Sequence, residues 1–127
     1  MKKFLLFMMF PLLLTACQKE NKATQVIKDE ARYEMFPTEN IWTFLKLDTS
    51  NGRIWQVQYS INNDYRGEAV LNDKALAEGN LAQNGRFTLY PTKNMYNFIL
   101  LDKKDGRTWQ VQWSIEENSR MIIPIQQ

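Results

Sequence analysis

A chain of 127 residues with 44% hydrophobic and 24% charged side chains is long enough for one small domain and short for two. It has no histidine and one cysteine, which excludes Ser-His-Asp and Cys-His nucleophilic sites, the usual zinc ligand sets and any disulfide within the chain. The formal charge of +2 depends on Lys2 and Lys3. Without these two, basic and acidic side chains balance, so the surface offers no general attraction for phosphate backbones and nucleic acid is not an expected partner.

In chain order, the first segment is MKKFLLFMMFPLLLTAC. Lys2 and Lys3 precede an apolar run from Phe4 to Leu14 and a small-residue step ending at Cys17. Spanning a hydrocarbon layer of roughly 30 Å takes about 20 apolar residues, so the shorter run reads as the core of an export signal. Leu14-Thr15-Ala16-Cys17 resembles the bacterial lipobox. That resemblance implies a signal peptide over residues 1–16, cleavage before Cys17, a diacylglycerol on its thiol and an acyl chain on the new amino group. Each buried CH₂ contributes about 0.8 kcal/mol, so such a set of chains anchors stably. The covalent lipid is the only non-protein group expected; no cofactor or metal is.

Residues 17–31 are mostly polar and lack sustained apolar periodicity, and read as a lipidated tether. Gln18 stands where enterobacterial lipoproteins kept at the inner membrane have Asp, which by resemblance directs this chain to the outer membrane. Gln18-Lys19-Glu20 is also similar to the start of export signals on Bacteroidetes lipoproteins. The periplasmic face and the cell surface both remain open.

Residues 32–127 read as a single β domain made of one unit written twice. RYEMFPTENIWTFLKLDTSNGRIWQVQYSIN, from Arg32, lies over RFTLYPTKNMYNFILLDKKDGRTWQVQWSIE, from Arg86, with fifteen of 31 positions identical. Repeat 1 covers 32–71, a connector 72–85 and repeat 2 86–127. Strands are expected over 32–36, 41–48, 53–61 and 66–71, and again over 86–90, 95–102, 107–115 and 120–125. Asn51-Gly52 and Asp105-Gly106 mark hairpins, because Gly accepts the positive φ of a type I turn followed by a bulge. A calcium loop is rejected for these turns, since EF-hand spacing is missing and Lys103 with Lys104 would put positive charge where oxygen ligands are needed. Pro37 and Pro91 end the first strand of each unit, and a short helix is expected over 73–78, closed by Gly79.

Alternation is clearest in the third strand of each unit. Trp55, Val57, Tyr59 and Ile61 share one face and Gln56, Gln58 and Ser60 the other; Trp109, Val111, Trp113 and Ile115 repeat the pattern against Gln110, Gln112 and Ser114. The expected fold is therefore all-β: two tandem four-stranded antiparallel repeats, packed as a small sandwich or barrel with pseudo-twofold symmetry. The combination of aromatic-Pro-Thr, Asn, Leu-Asp, Gly-Arg and Trp-Gln-Val-Gln resembles tandem-hairpin repeats in uncharacterised lipoproteins of Bacteroidetes and related bacteria. That implies a β-rich envelope lipoprotein and brings no activity, catalytic residue or ligand.

The chemistry left to the chain is narrow. Paired carboxylates can hydrolyse glycosides, and Glu34, Glu39, Asp48, Asp102 and Glu116 are the candidates beside aromatic strands. Asp48 and Asp102 are accounted for by the hairpins, and Glu34 and Glu39 become Thr88 and Lys93 in the other unit. No set of complementary catalytic roles emerges, and an enzyme is not expected.

The aromatics admit two readings. Trp42, Trp55, Trp109 and Trp113, with Tyr59 and Tyr96, can form a platform for a sugar whose hydroxyls bond the glutamines. Alternatively, Trp55, Trp109 and Trp113 build the core while the glutamines face water. Alternation sends the two residue types to opposite sides, which favours the core. Arg53 and Arg107 can pair with Asp48 and Asp102, or the two loops can contact a partner.

The candidate binding surface is accordingly Trp42, Tyr96, Arg53, Arg107, Gln56, Gln58, Gln110 and Gln112. The expected function is a non-enzymatic binding module held on a membrane by lipid on Cys17, its partner a protein or glycan. The alternatives are a glycan-binding module that uses exposed aromatics, or a small inhibitor or immunity lipoprotein that blocks a hydrolase or toxin.

Overall fold

The computed structural model describes residues 30–62 and 64–127. The expected signal peptide, Cys17 and nearly all of the tether lie outside the described residues. All eight expected strands form. The first sheet runs β1 (Tyr33–Pro37), β2 (Thr43–Asp48), β3 (Ile54–Gln58) and β4 (Gly67–Asn72); the second runs β5 (Phe87–Pro91), β6 (Asn97–Asp102), β7 (Thr108–Gln112) and β8 (Met121–Pro124). Both are open antiparallel meanders, so the fold is a two-layer sandwich and not a barrel.

The local chemistry repeats with the strands. Tyr33 opposite Asp48 in the first sheet recurs as Phe87 opposite Asp102 in the second, an offset of 54 residues that holds through β3 and β7. Gly52 and Gly106 take φ of 83° and 81° and donate their N–H to Asp48 O and Asp102 O, each at 2.9 Å, closing the two hairpins as expected. Between the first two strands of each unit, Thr38 Oγ1 accepts from Asn40 N (3.1 Å) and donates to Thr43 O (2.7 Å), while Asn40 Oδ1 accepts from Trp42 N (2.9 Å). Thr92 and Asn94 do the same. These side chains replace missing backbone partners in the bend after Pro, which occupies the last position of edge strands β1 and β5.

The helix expected over 73–78 does not form; among the described residues the connector has only a 3₁₀ turn at Gly79–Leu81. Its backbone groups are engaged elsewhere. Asn72 Nδ2 donates to Gly52 O (2.8 Å), Asn72 Oδ1 accepts from Lys74 N (3.1 Å), and Leu76 N donates to Asn51 O (2.7 Å). Tertiary bonds to the first hairpin thus outcompete a short helix that is marginal on its own.

The relation between the sheets also departs from expectation. A dyad buries the same face of both units. Here the second sheet buries Phe98, Leu100, Trp109, Val111 and Trp113, whereas the first buries Thr43, Leu45, Leu47, Ile54 and Gln56. Fifty-four residues before Trp109 and Val111, Trp55 and Val57 lie on the other side of their sheet and are only half-buried. Trp109 and Trp113 therefore enter the core as expected and Trp55 does not; Ile61 and Ile115, also expected to point inward, are exposed. β5 lies beside β2 and β8 beside β4, so strand order runs the same way in both layers. The units stack head to tail.

Two features enforce this arrangement. The connector delivers β5 to the first hairpin turn: Phe87 N donates to Thr49 O (2.8 Å), Gly85 N to Thr49 Oγ1 (2.9 Å) and Gln83 N to Ser50 O (3.2 Å). And Lys46 and Glu68 occupy the positions that Leu100 and Ile122 hold in the second unit. A charged pair there makes the aromatic side of the first sheet a poor core face, since desolvating ions costs several kcal/mol each, of order. The Leu45, Leu47 and Ile54 side turns inward instead.

Candidate functional site

The inversion leaves the aromatic side of the first sheet facing outward. Tyr33 and Met35 on β1, Phe44 and Lys46 on β2, Trp55 and Val57 on β3, and Glu68 and Val70 on β4 share this face by register. Tyr33 is 50% exposed and Val70 52%, an apolar surface that no described residue covers. The rings are ordered by mutual contact. Tyr33 meets Trp55 edge-on at 6.3 Å between centroids, Trp42 meets Tyr59 at 5.3 Å, and Phe44 lies 6.2 Å from Tyr59.

Lys46 crosses the centre of this face. Its Nζ donates to both carboxylate oxygens of Glu68 at 2.6 and 2.7 Å and lies 5.0 Å from the Trp55 ring centroid and 5.9 Å from that of Tyr33. The ammonium thus lies over the two rings while its charge is neutralised by Glu68. The result is an aromatic surface with one internally compensated charge pair.

The eight expected surface residues do not converge on one patch. Trp42 is half-buried at the rim of the aromatic face, against Tyr59. Tyr96 is exposed and packs at 5.0 Å on Trp113, whose Nε1 donates to Met95 O (2.8 Å). Gln56 is buried between the sheets, its Nε2 donating to Ser114 O (3.0 Å) and its Oε1 accepting from Ser114 N (3.1 Å). Gln58 lines an open groove of about 350 Å³ with Arg66 and Arg120. Gln110 and Gln112 lie on the outer face of the second sheet, where their amides donate to Asn97 Oδ1 (2.8 Å) and Ser119 O (2.9 Å).

Arg53 is exposed, whereas Arg107 is structural: it donates to Asp105 Oδ2 (2.7 Å), Asp102 Oδ2 (3.2 Å) and Leu76 O (3.1 Å). The sequence reading missed the main partners of the turn aspartates, Arg32 and Arg86. Arg32 bonds Asp48 at 3.0 Å and Arg86 bonds Asp102 at 2.8 Å. Their signal was available, since Arg32 and Arg86 stand first in the two aligned phrases.

These ion pairs set the titration of the two carboxyls. Burial pushes the Asp102 pKa up, but hydrogen bonds from Arg86, the backbone N–H of Lys104 and Asp105, and Arg107 outweigh it and hold the group well below the usual carboxylate range. Asp48 is held low in the same way: against burial stand bonds from the Ser50 hydroxyl, Arg32 and the Ser50 N–H. Both carboxylates have their lone pairs committed to donors, which suits a turn and not proton transfer. Glu34, Glu39 and Glu116 are exposed, and no group of three or more potential metal-ligating side chains is assembled among the described residues.

Comparison of the chain with protein-family models, curated proteins and solved structures gives no match.

Proposed function

We propose that this chain is a non-enzymatic binding module of the bacterial envelope, anchored through lipid on Cys17, whose recognition surface is the outward aromatic face of the first sheet. The observation that supports it is the exposure of Tyr33, Met35, Tyr59 and Val70 on one side of a sheet whose other side is sealed by Leu45, Leu47 and Ile54. Exposed aromatic and apolar side chains gathered on one face, with a single neutralised charge pair among them, mark interaction sites. The lipid confines the domain to a membrane and raises the local concentration of that face.

A protein partner is favoured over a glycan. Stacking a sugar requires an open ring face, and the central Trp55 carries Lys46 over its ring. The outer-membrane address, the tandem-repeat lipoprotein family and the duplication at an offset of 54 residues belong to the same proposal. They are supported by the lipobox, Gln18 and the recurring phrases of the two units.

Two measurements test the reading. Labelled palmitate should enter the wild-type chain and not a Cys17→Ser variant. A photo-crosslinking amino acid at Met35, on intact cells, should yield a defined adduct, and one at exposed Glu39 should not. Equal labelling from both positions, or quenching of tryptophan fluorescence by soluble saccharides, defeats it.

A further inference from the structure

The packing of the two sheets is an unclosed contact. It joins two different patches, the Phe98, Leu100, Trp109 side of the second sheet and the Leu45, Leu47, Ile54 side of the first. Since the units share one register, the first sheet's outer face repeats the former patch with Phe44, Lys46 and Trp55, and the second sheet's outer face repeats the latter with Ile99, Leu101 and Thr108. A heterologous contact that does not close leaves each end of the molecule complementary to the other end. We infer that the outer face of the first sheet receives the outer face of the second sheet of another copy of this chain, building a head-to-tail stack. This rests on the reading of the first sheet's outer face as the recognition surface and names its occupant.

Two polar contacts inside the molecule specify how the copies meet. Gln56 reaches across to grip both backbone groups of Ser114. The positions 54 residues away are Gln110, on one outer face with only its Nε2 engaged, and Ser60, which makes no hydrogen bond among the described residues. Phe87 N–H donates to Thr49 O at 2.8 Å; the corresponding pair is Tyr33 N–H of one copy and Lys103 O of the next. Because strand order runs the same way in both layers, one stacking operation satisfies both contacts.

The two interfaces differ at Lys46 and Glu68, which stand for Leu100 and Ile122. The pair enters the contact already neutralised by its 2.6 and 2.7 Å bonds, but its desolvation makes stacking between copies weaker than stacking within one. The association is reversible, and confinement at a bilayer promotes it.

The test uses full-length chains carrying Ser60→Cys or Gln110→Cys and a short bis-maleimide, with the chain containing only Cys17 as the background control. A mixture of the two variants should give a linked dimer, each alone should give none above the control, and the double variant should give a ladder. In sedimentation velocity, Lys46→Leu with Glu68→Ile should tighten self-association about tenfold, with circular dichroism confirming the fold. Absence of the 60–110 product, Ser60→Cys linking to itself as well as it links to Gln110→Cys, or unchanged association of the double substitution overturns the stack. If the chain stays monomeric and a photo-crosslinker at Val70 captures a different protein on cells, self-stacking fails and the recognition surface stands. If it stays monomeric and captures nothing, both fail.

Discussion

The identical phrases around Trp55 and Trp109 should respond to the same substitution by very different amounts. Trp109 is 5% exposed, packs against Phe87 at 6.1 Å and belongs to the core. Removing it deletes a large buried ring and leaves a cavity between sheets, for which Trp109→Ala should cost about 3–5 kcal/mol. For a domain of this size each kcal/mol lowers the melting temperature by about 4–8 °C, so the loss is a large part of the total stability. Trp55 touches Tyr33 edge-on and Lys46 from above, both on the solvent side. Losing one aromatic edge contact and one exposed cation–π contact predicts about 1–2 kcal/mol for Trp55→Ala. Urea unfolding followed by far-ultraviolet circular dichroism, at a concentration low enough to keep the chain monomeric, measures both without relying on tryptophan emission. Equal costs, or a larger cost at Trp55, would refute the inverted packing of the two sheets.

Three further outcomes follow from the same geometry. Gln56→Ala removes two bonds to Ser114 and leaves the half-buried Ser114 N–H without that acceptor, an expected loss of about 1–2 kcal/mol, whereas Gln110→Ala on the outer face should stay within about 0.5 kcal/mol; thermal melts of the pair decide it. Both Gly52→Ala and Gly106→Ala force an L side chain to φ near +80°, at about 1 kcal/mol, but a Cβ at Gly52 meets Leu76 Cδ1 at 2.8 Å and one at Gly106 meets nothing within 4 Å. Gly52→Ala should therefore be the more damaging by about 1–2 kcal/mol in denaturant titration, and equal values would show that Leu76 does not hold the connector.

The acid response follows from Asp102. Its folded pKa lies below the unfolded value of about 3.9, so its contribution is fully present above that pH and is lost progressively as pH falls below it. Melting temperature should drop below about pH 4, and Asp102→Asn should start lower and fall less. Asn there removes the near charge from Arg86, which is 8% exposed and keeps Asp105 at 3.5 Å and Leu81 O at 2.7 Å. Asp48→Asn takes the partner from Arg32, which is 55% exposed and solvated, and should lower the melting temperature clearly less than Asp102→Asn does. An unaltered pH slope in Asp102→Asn would remove Asp102 as the source.

Much of the candidate face was visible before folding, but on the wrong side of the sheet. Alternation correctly separated Trp55 from Gln56 and Trp109 from Gln110. The error lay in assigning both Trp faces to the core. The contrary signal was Lys46 and Glu68 against Leu100 and Ile122, a charged pair set into one of two otherwise matching aromatic faces. It becomes readable only with the strand register, because Lys46 and Glu68 are neighbours through β3 and are not close in the chain. The ion pairs of Arg32 and Arg86 were missed for a related reason: each reaches the turn aspartate across an antiparallel pair from the strand start, 16 residues away.

Strands, hairpins and the polar bends after each Pro were decided locally, by a period of two, by Gly at positive φ, and by Thr and Asn hydroxyl and amide groups within five residues of their partners. Which face of each strand is dry was not a local matter. A strand's pattern states that its sides differ, and burial is a relation between one sheet and whatever covers it. The packed connector, pinned to the first hairpin by Phe87, Gly85 and Leu76, brought the second sheet down on the leucine side of the first. The aromatic side was left for solvent or a partner.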